Sequence, residues 1–326
     1  MRTDQNDKPE VSPLNKTTTI FAPATVANVA CGFDSLGFAL HEPGDEVVIS
    51  LSDTPGVTIT NITGDEGRLP LDAQSNTAGV SVLALLDSLG SRQGFDIEIH
   101  KQMPLGSGLG SSAASSVAAV VGANELLGKP LETKDLLPFA ILGEKKACGS
   151  AHADNVAPAL LGGFILIRSY DPLDVVSIPF PEEMYATVLH PHIELRTEDV
   201  RKIMRREIKL QNAIVQWSNL AGLIAGLMKS DYDLISRSLN DIIFEPVRSL
   251  LIPGFDNVKQ AAMDAGALGC SISGSGPSVF ALCTTRDTAR QVGGAMQDAL
   301  TRVGLESDLY VSPVNGNGAG VVRGSR

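Results

Sequence analysis

"MPLGSGLGSSAASSVAAVVGANELLG", Met103–Gly128, sets a glycine-rich turn directly against a helix of small residues, with no lysine in the turn. The preceding "FDIEIH", Phe95–His100, alternates apolar and polar residues as a half-buried strand does. Ser111–Leu127 then reads as a long helix that Gly128 stops. A strand, a glycine turn and a helix in that order expose backbone N–H groups beside the positive end of a helix dipole, which suits a phosphate. Glycines and alanines also permit close helix packing, which is the competing reading of an isolated "GSG". The flanking strand and the two hydroxyls, Ser111 and Ser112, favour a phosphate cradle.

Three known phosphate or nucleophile loops are tested against it. Walker A needs GxxxxGK[ST], and Ser111 follows Gly110 where the lysine belongs. The dinucleotide fingerprint GxGxxG begins at Gly106 and Gly108, but Ser111 takes the third glycine position. A nucleophile elbow, GxSxG, is absent from this loop and from the second glycine turn near Gly269.

The chain has 326 residues, more than one core usually holds, so two domains are expected. Its 43% hydrophobic and 19% charged residues are those of a soluble globular protein. A formal net charge of −11 argues against a nucleic-acid partner, although local arginines can still hold a small anion. The four cysteines, Cys31, Cys148, Cys270 and Cys283, form no CxxC pair and read as reduced, buried thiols. The polar start lacks an apolar core, so it reads as a tail rather than a signal peptide. No apolar stretch reaches the roughly 18 residues of a membrane span, and a cytoplasmic location is expected.

Residues 1–16 are the expected tail, 17–170 a first α+β domain and 171–326 a second. In the first, Thr17–Phe21, Asp45–Leu51 and Val57–Ile62 are β-branched strands. Ser75–Leu89 is a helix with Ser75 as cap and Gly90 as stop. A helix over Thr133–Ala147 and a strand over Gly162–Ile167 complete it. In the second, strands are expected at "DVVSI" and "ATVLH". Helices follow at Thr197–Ile208, Leu210–Met228, Asp231–Leu239, Phe255–Ala265 and Thr285–Val303. Strand material flanks the turn in Gly269–Leu282, and a last strand covers Leu309–Val311.

Pro104–Ala114, "PLGSGLGSSAA", resembles the central motif of the GHMP small-molecule kinases. "APATVANVACGFDSLGFAL" (Ala22–Leu40) and "SISGSGPSVFAL" (Ser271–Leu282) are similar to that family's first and third motifs, in family order. The resemblance implies a two-domain α+β fold, with an N-terminal half like domain 2 of ribosomal protein S5 and a ferredoxin-like C-terminal half. "ANVACGFDSLG", Ala151–Phe164 and Asp241–Phe255 are similar to the branch acting on homoserine. That implies transfer of the ATP γ-phosphate to the side-chain hydroxyl of L-homoserine, toward threonine. A homodimer is also implied. Rival readings are a relative acting on another hydroxyl and a nucleotide-binding module without chemistry.

By resemblance, the triphosphate lies on Pro104, Leu105, Gly106, Ser107, Gly108, Leu109, Gly110, Ser111 and Ser112, and Ser112 with Glu144 holds Mg²⁺. Asn76, in the segment Leu69–Thr77, is placed near adenine by position alone. Asp34 is the partner for a substrate ammonium, and Asn28 for the amino-acid head or hydroxyl. Arg201 and Arg248 form a carboxylate clamp, where guanidinium geometry is useful. Thr197, otherwise a helix cap, faces the hydroxyl, and His152 lines the site. Mevalonate kinases carry a catalytic aspartate in a stretch similar to "HADN", and counting back from Gly162 reaches Asn155 rather than Asp154. Asn155 can orient a hydroxyl but cannot take its proton, which implies transfer without a strong side-chain base. Asp154 stands adjacent as the alternative base.

Overall fold

The computed structural model describes residues 16–149, 152–195, 200, 202–204 and 207–322. Its first sheet runs in the order β11-β1-β2-β4-β3. These strands are β1 (Thr17–Ala27), β2 (Leu36–Ser52), β3 (Gly56–Thr63), β4 (Gly94–His100) and β11 (Gly320–Val321). β3 and β4 are parallel, joined by α1 (Thr77–Leu89), while β1, β2 and β4 pair antiparallel. The start of β2 also pairs with β5 (Phe164–Tyr170), which pairs with β6 (Leu173–Ile178).

α2 (Ser111–Leu126) lies between this sheet and a layer of helices, and is buried on nearly every side. That position explains its composition. A helix with neighbours all round needs small residues to let each of them approach, and Ala113, Ala114, Ala118 and Ala119 are fully buried. α1 and α3 (Leu137–Cys148) cover it, and Ser116 Oγ donates to Ala140 O across 2.7 Å. Gly90 ends α1 in the left-handed region as expected, but Asn76 rather than Ser75 caps its start.

The second sheet is antiparallel, in the order β10-β7-β9-β8. β7 is Tyr185–Pro191, β8 Gly269–Ile272, β9 Val279–Cys283 and β10 Ser307–Pro313. α7 (Phe255–Asp264) and α8 (Arg286–Thr301) close one face over Val258, Val279, Val292 and Met296. Its other face joins the first core, where Phe280 meets Phe38 edge-on at 5.9 Å. α5 (Leu210–Lys229) and α6 (Tyr232–Ser238) pack into that same core through Leu223, Leu227 and Ile235.

The division expected at residue 170 lies within the β5–β6 hairpin, and β11 returns to β1 with Ile20 opposite Val321. A strand joins whichever edge completes its hydrogen bonds, and that edge lies far away in sequence. The stretch Ala153–Leu161, assigned no element, is a helix, α4, with Pro158 inside it. Proline and the absence of a polar face hide a helix that is buried almost throughout. Half of the helix expected over Thr197–Ile208 falls outside the described residues.

Candidate active site

Gly106, Gly108 and Gly110 all hold positive φ, so the loop alternates left-handed glycines with ordinary residues. Gly110 is the N-cap of α2, and a Cβ there would collide with Thr25 Oγ1 and lie 2.9 Å from Asn155 Oδ1. The first N–H groups of α2 therefore open toward the cleft with no side chain of their own to cap them. The loop is pinned from both halves of the molecule. Thr25 N donates to Leu109 O at 2.9 Å, and Ser273 Oγ donates to Gly108 O at 2.8 Å. Ser278 N donates to Ser107 O at 3.2 Å. The second glycine turn, Ser273–Pro277, thus leans on the first.

Beneath the loop lies a polar cluster that sequence reading missed. Lys101 pairs with Asp45, their side chains 1% and 0% exposed, and Lys101 Nζ also donates to Ser111 O at 2.6 Å and Ser115 Oγ at 2.8 Å. Asp45 further accepts from Gln102 N, Met103 N and Ser111 Oγ, at 2.8, 3.0 and 2.8 Å. The pair joins β2, the end of β4 and the first turn of α2. Breaking a buried pair leaves its partner uncompensated, so Lys101→Met should destabilise the protein by about 3–5 kcal/mol. A chemical-denaturation midpoint equal to wild type would contradict this.

Ser112, one residue into α2, donates to the Glu144 carboxylate on α3. Glu144 is 3% exposed, and its other oxygen lies 3.4 Å from His152 Nδ1. A hydroxyl and a buried carboxylate in contact, beside the loop amides, form an oxygen-only donor pair. It fits Mg²⁺, which takes few protein oxygens and keeps its waters. Among the described residues no group of three or more His, Cys, Asp or Glu side chains forms a metal cage.

The other wall of the cleft, which encloses about 280 Å³, carries charge of both signs. The turn after β1 has consecutive non-glycine residues at positive φ, Asn28, Val29 and Ala30, and Asp34 follows at φ 54°. Such backbone costs on the order of 1–3 kcal/mol per residue and concentrates at functional sites. Asn28 spends its amide on the protein: Nδ2 donates to Gly274 O at 2.7 Å, and Oδ1 accepts from Asp34 N at 2.9 Å. Asp154, on the first turn of α4, is 2% exposed, and its Oδ1 has no partner. Burial first, then the charge of Asp34, pushes its carboxyl up to about 6, with His152 opposing.

Arg248 faces these carboxylates at 3% exposure, with an unpartnered Nε. One of its terminal nitrogens donates to Gly274 O. Burial lowers its pKa to about 10, while Asp241, Asp34, Glu245 and Asp154 oppose the shift, so it stays charged at neutral pH. Phe33 stacks on Phe244 at 3.8 Å between centroids, and the guanidinium lies 5.8 Å from the Phe33 ring. Asn155, beside Asp154, accepts from Thr25 Oγ1 at 2.8 Å and lines the same cleft.

Most residues named from sequence converge here: Asn28, Asp34, Leu105–Gly108, Gly110–Ser112, Glu144, His152, Asn155 and Arg248 all line the cleft. Three do not. Asn76 is a buried cap whose Oδ1 accepts from Ala78 N and whose Nδ2 donates to Pro70 O, and it is not part of the lining. Leu109 turns its side chain into the core, and Pro104 is not part of the lining. Thr197 and Arg201 lie outside the described residues. Sequence reading did not name Phe33, Val200 and Met204, which line the cleft. Their apolar character gave no signal distinct from core packing.

The chain matches the family model for the GHMP kinases N terminal domain over residues 76–163 and that for the GHMP kinases C terminal over residues 223–302. Homoserine kinase from Chlorobaculum tepidum is 54% identical over 320 residues, which cover 94% of this chain and 98% of that protein. Homoserine kinase from Xanthomonas campestris pv. campestris is 44% identical over 295 residues, covering 90% and 91%. A crystal structure of homoserine kinase from Cytophaga hutchinsonii superposes with a TM-score of 0.93 at 58% identity, covering 99% of this chain and 100% of that one.

Proposed function

The chain belongs to the homoserine kinase branch of the GHMP kinase family, and from that premise we propose that it transfers the ATP γ-phosphoryl group to the side-chain hydroxyl of L-homoserine. The product is O-phospho-L-homoserine, toward threonine, and the reading includes a cytoplasmic location. Among the described residues no helix is long and apolar enough to cross a membrane.

The observation that carries the reading is the pair of carboxylates, Asp34 and Asp154, set against the buried guanidinium of Arg248 at one end of a phosphate cradle. A carboxylate whose proton affinity a neighbouring carboxylate raises, as Asp34 does for Asp154, is relieved by a cation between the two. A guanidinium with an unpartnered Nε is completed by a carboxylate. A small amino acid offers both, and its side-chain hydroxyl then extends toward the loop. Mevalonate and sugars have no ammonium to place between Asp34 and Asp154.

In this reading the amides at Gly106–Ser112 receive the triphosphate, and Asn28 holds the Asp34 turn against Gly274. Ser112 and Glu144 would hold Mg²⁺, whose charge offsets that of the β- and γ-phosphates. Thr25 fixes Asn155 through its Oδ1, which leaves Nδ2 to orient the substrate hydroxyl. The hydroxyl oxygen bonds to γ-phosphorus as the bond from γ-phosphorus to the bridging oxygen of ADP breaks, ADP leaves with that oxygen, and the hydroxyl proton passes to an oxygen of the transferred phosphoryl group. No strong base is needed, because the transition state is loose and alignment with charge neutralisation supplies most of the catalysis.

The test offers L-homoserine, mevalonate and galactose in parallel to the enzyme with ATP and Mg²⁺, and follows ADP release. Release stimulated by L-homoserine alone is the expected result. Stimulation by another acceptor would move the chain to a different hydroxyl. No stimulation by any would leave a nucleotide-binding module.

A further inference from the structure

Phe33 and Phe244 lie far apart in the chain, yet their rings stack at 3.8 Å between centroids with planes 20° apart. Each ring belongs to a segment that carries one of the two charged groups on the cleft wall. Phe33 precedes Asp34, and both line the cleft. Phe244 precedes the short helical turn Glu245–Arg248, and its carbonyl accepts from Arg248 N at 3.0 Å. The stack therefore joins the segment of Asp34 to the segment of Arg248. The guanidinium also lies 5.8 Å from the Phe33 centroid, so one ring meets both Phe244 and the cation.

Neither segment can shift by itself. Asp241 Oδ1 accepts from Phe244 N and from Gln216 Nε2 on α5, both at 2.9 Å. Its Oδ2 accepts from Glu245 N at 2.9 Å, which fixes the start of the turn that carries Arg248. On the other side, Asp34 N donates to Asn28 Oδ1 at 2.9 Å, and Tyr170 Oη donates to Asp34 O at 3.0 Å. The two segments meet a second time at Gly274 O, which accepts from Asn28 Nδ2 at 2.7 Å and from a terminal nitrogen of Arg248. A shared carbonyl and a ring stack are two separate ties, and together they fix the distance from carboxylate to guanidinium.

That distance selects among acceptors. An α-amino acid carries its ammonium and carboxylate on one carbon. Moving the ammonium one carbon along separates the charges by on the order of 1 Å more. A pair of subsites on flexible side chains would follow the longer molecule, whereas a fixed pair misplaces it, and a misplacement of about 1 Å costs up to about 100-fold in rate. We infer that the Phe33–Phe244 stack determines acceptor specificity, by holding the ammonium and carboxylate subsites at the spacing of an α-amino acid. Phe33, on the cleft, is the specificity-determining residue. Phe244, which is not part of the lining, is a positioning residue that acts through it. The inference rests on the acceptor reading given above.

The probes are L-homoserine and its isomer 3-amino-4-hydroxybutanoate, in which hydroxyl and carboxylate keep their separation and only the ammonium moves. ADP release gives kcat/KM for both. Wild type should prefer L-homoserine by up to about 100-fold. Phe33→Leu and Phe244→Leu should each cut that preference about 3- to 10-fold, the worth of one aromatic pair, and leave the ATP KM as it was. The double Leu variant should cut it no further than the more affected single variant, because both break the same stack. Phe33→Tyr and Phe244→Tyr keep the ring and should keep the preference. Phe244→Leu leaves the cleft lining intact and carries the test should Phe33→Leu fold poorly. Leu variants that slow both isomers by the same factor would overturn the inference. So would a preference lost equally in the Tyr variants, or a wild type that turns over both isomers alike. A wild type that L-homoserine does not stimulate would instead overturn the acceptor reading, and the inference with it.

Discussion

Asp154→Asn should raise the homoserine KM about 10- to 100-fold while leaving kcat and the ATP KM within a few-fold of wild type. The magnitude follows from losing one charge-assisted hydrogen bond, about 1.5–3 kcal/mol. Asp154 Oδ1 is buried without a partner, and its repulsion with Asp34 is what an ammonium would relieve. The same group predicts a pH dependence. Its carboxyl titrates near 6, so homoserine kcat/KM should fall as the pH drops through about 6, and the Asn variant should lose that inflection.

Stability moves the opposite way. The folded pKa lies above the ordinary 3.8, so the folded state holds the proton more tightly than the unfolded chain. The stability this provides is complete below 3.8 and lost as the pH rises through about 6, up to about 3 kcal/mol in all. Asn never ionises, and the variant should therefore melt at a higher temperature than wild type at neutral pH. A collapse of kcat with both KM values unchanged would instead make Asp154 the base that takes the hydroxyl proton, displacing Asn155 from the central role.

Arg248→Ala should have the larger effect on binding. Removing one partner of a buried, hydrogen-bonded charge pair costs about 2–5 kcal/mol, so the homoserine KM should rise about 30- to several thousand-fold. The ATP KM should move by no more than a few-fold, because the Arg248 guanidinium donates to Gly274 in the second glycine turn and not to the Gly106–Ser112 loop. Stability should fall as well, since Asp241, Glu245 and Asp154 lose the cation that opposes them. Arg248→Lys separates the two effects. An ammonium restores charge but not the planar fork, so it should recover much of the melting temperature and little of the substrate affinity. Equal increases in the two KM values in Arg248→Ala would remove this residue from the carboxylate clamp.

The loop and its helix were legible because their instructions are local. Gly106, Gly108 and Gly110 adopt backbone angles that other residues resist, and the alternation of Phe95–His100 declares its strand. Ser112 and Glu144 were reached through the family resemblance, and the fold does bring them into contact. α4 was not legible, because a buried helix of small residues with a proline has no polar face to set a period. Asn76 serves as the cap of α1, and its amide partners, Pro70 O and Ala78 N, are chosen by the turn it closes.

Lys101 is an ordinary charged residue in the sequence, and only the meeting of β2, β4 and α2 makes it the buried support of the phosphate loop. Asp154 and Asn155 are equally plain side by side. One becomes a carboxyl with raised proton affinity and the other an amide held by Thr25, because of neighbours far away in the chain. The sequence by itself determined turns, helix ends, strand alternation and the chemistry of the loop, since these depend on backbone angles and residues a few positions apart. Only the tertiary structure decided which strand closed each sheet edge, which charges were stripped of water and which carboxylates shared a cleft. Desolvation and Coulomb interaction depend on distance in space, and distance along the chain does not report it.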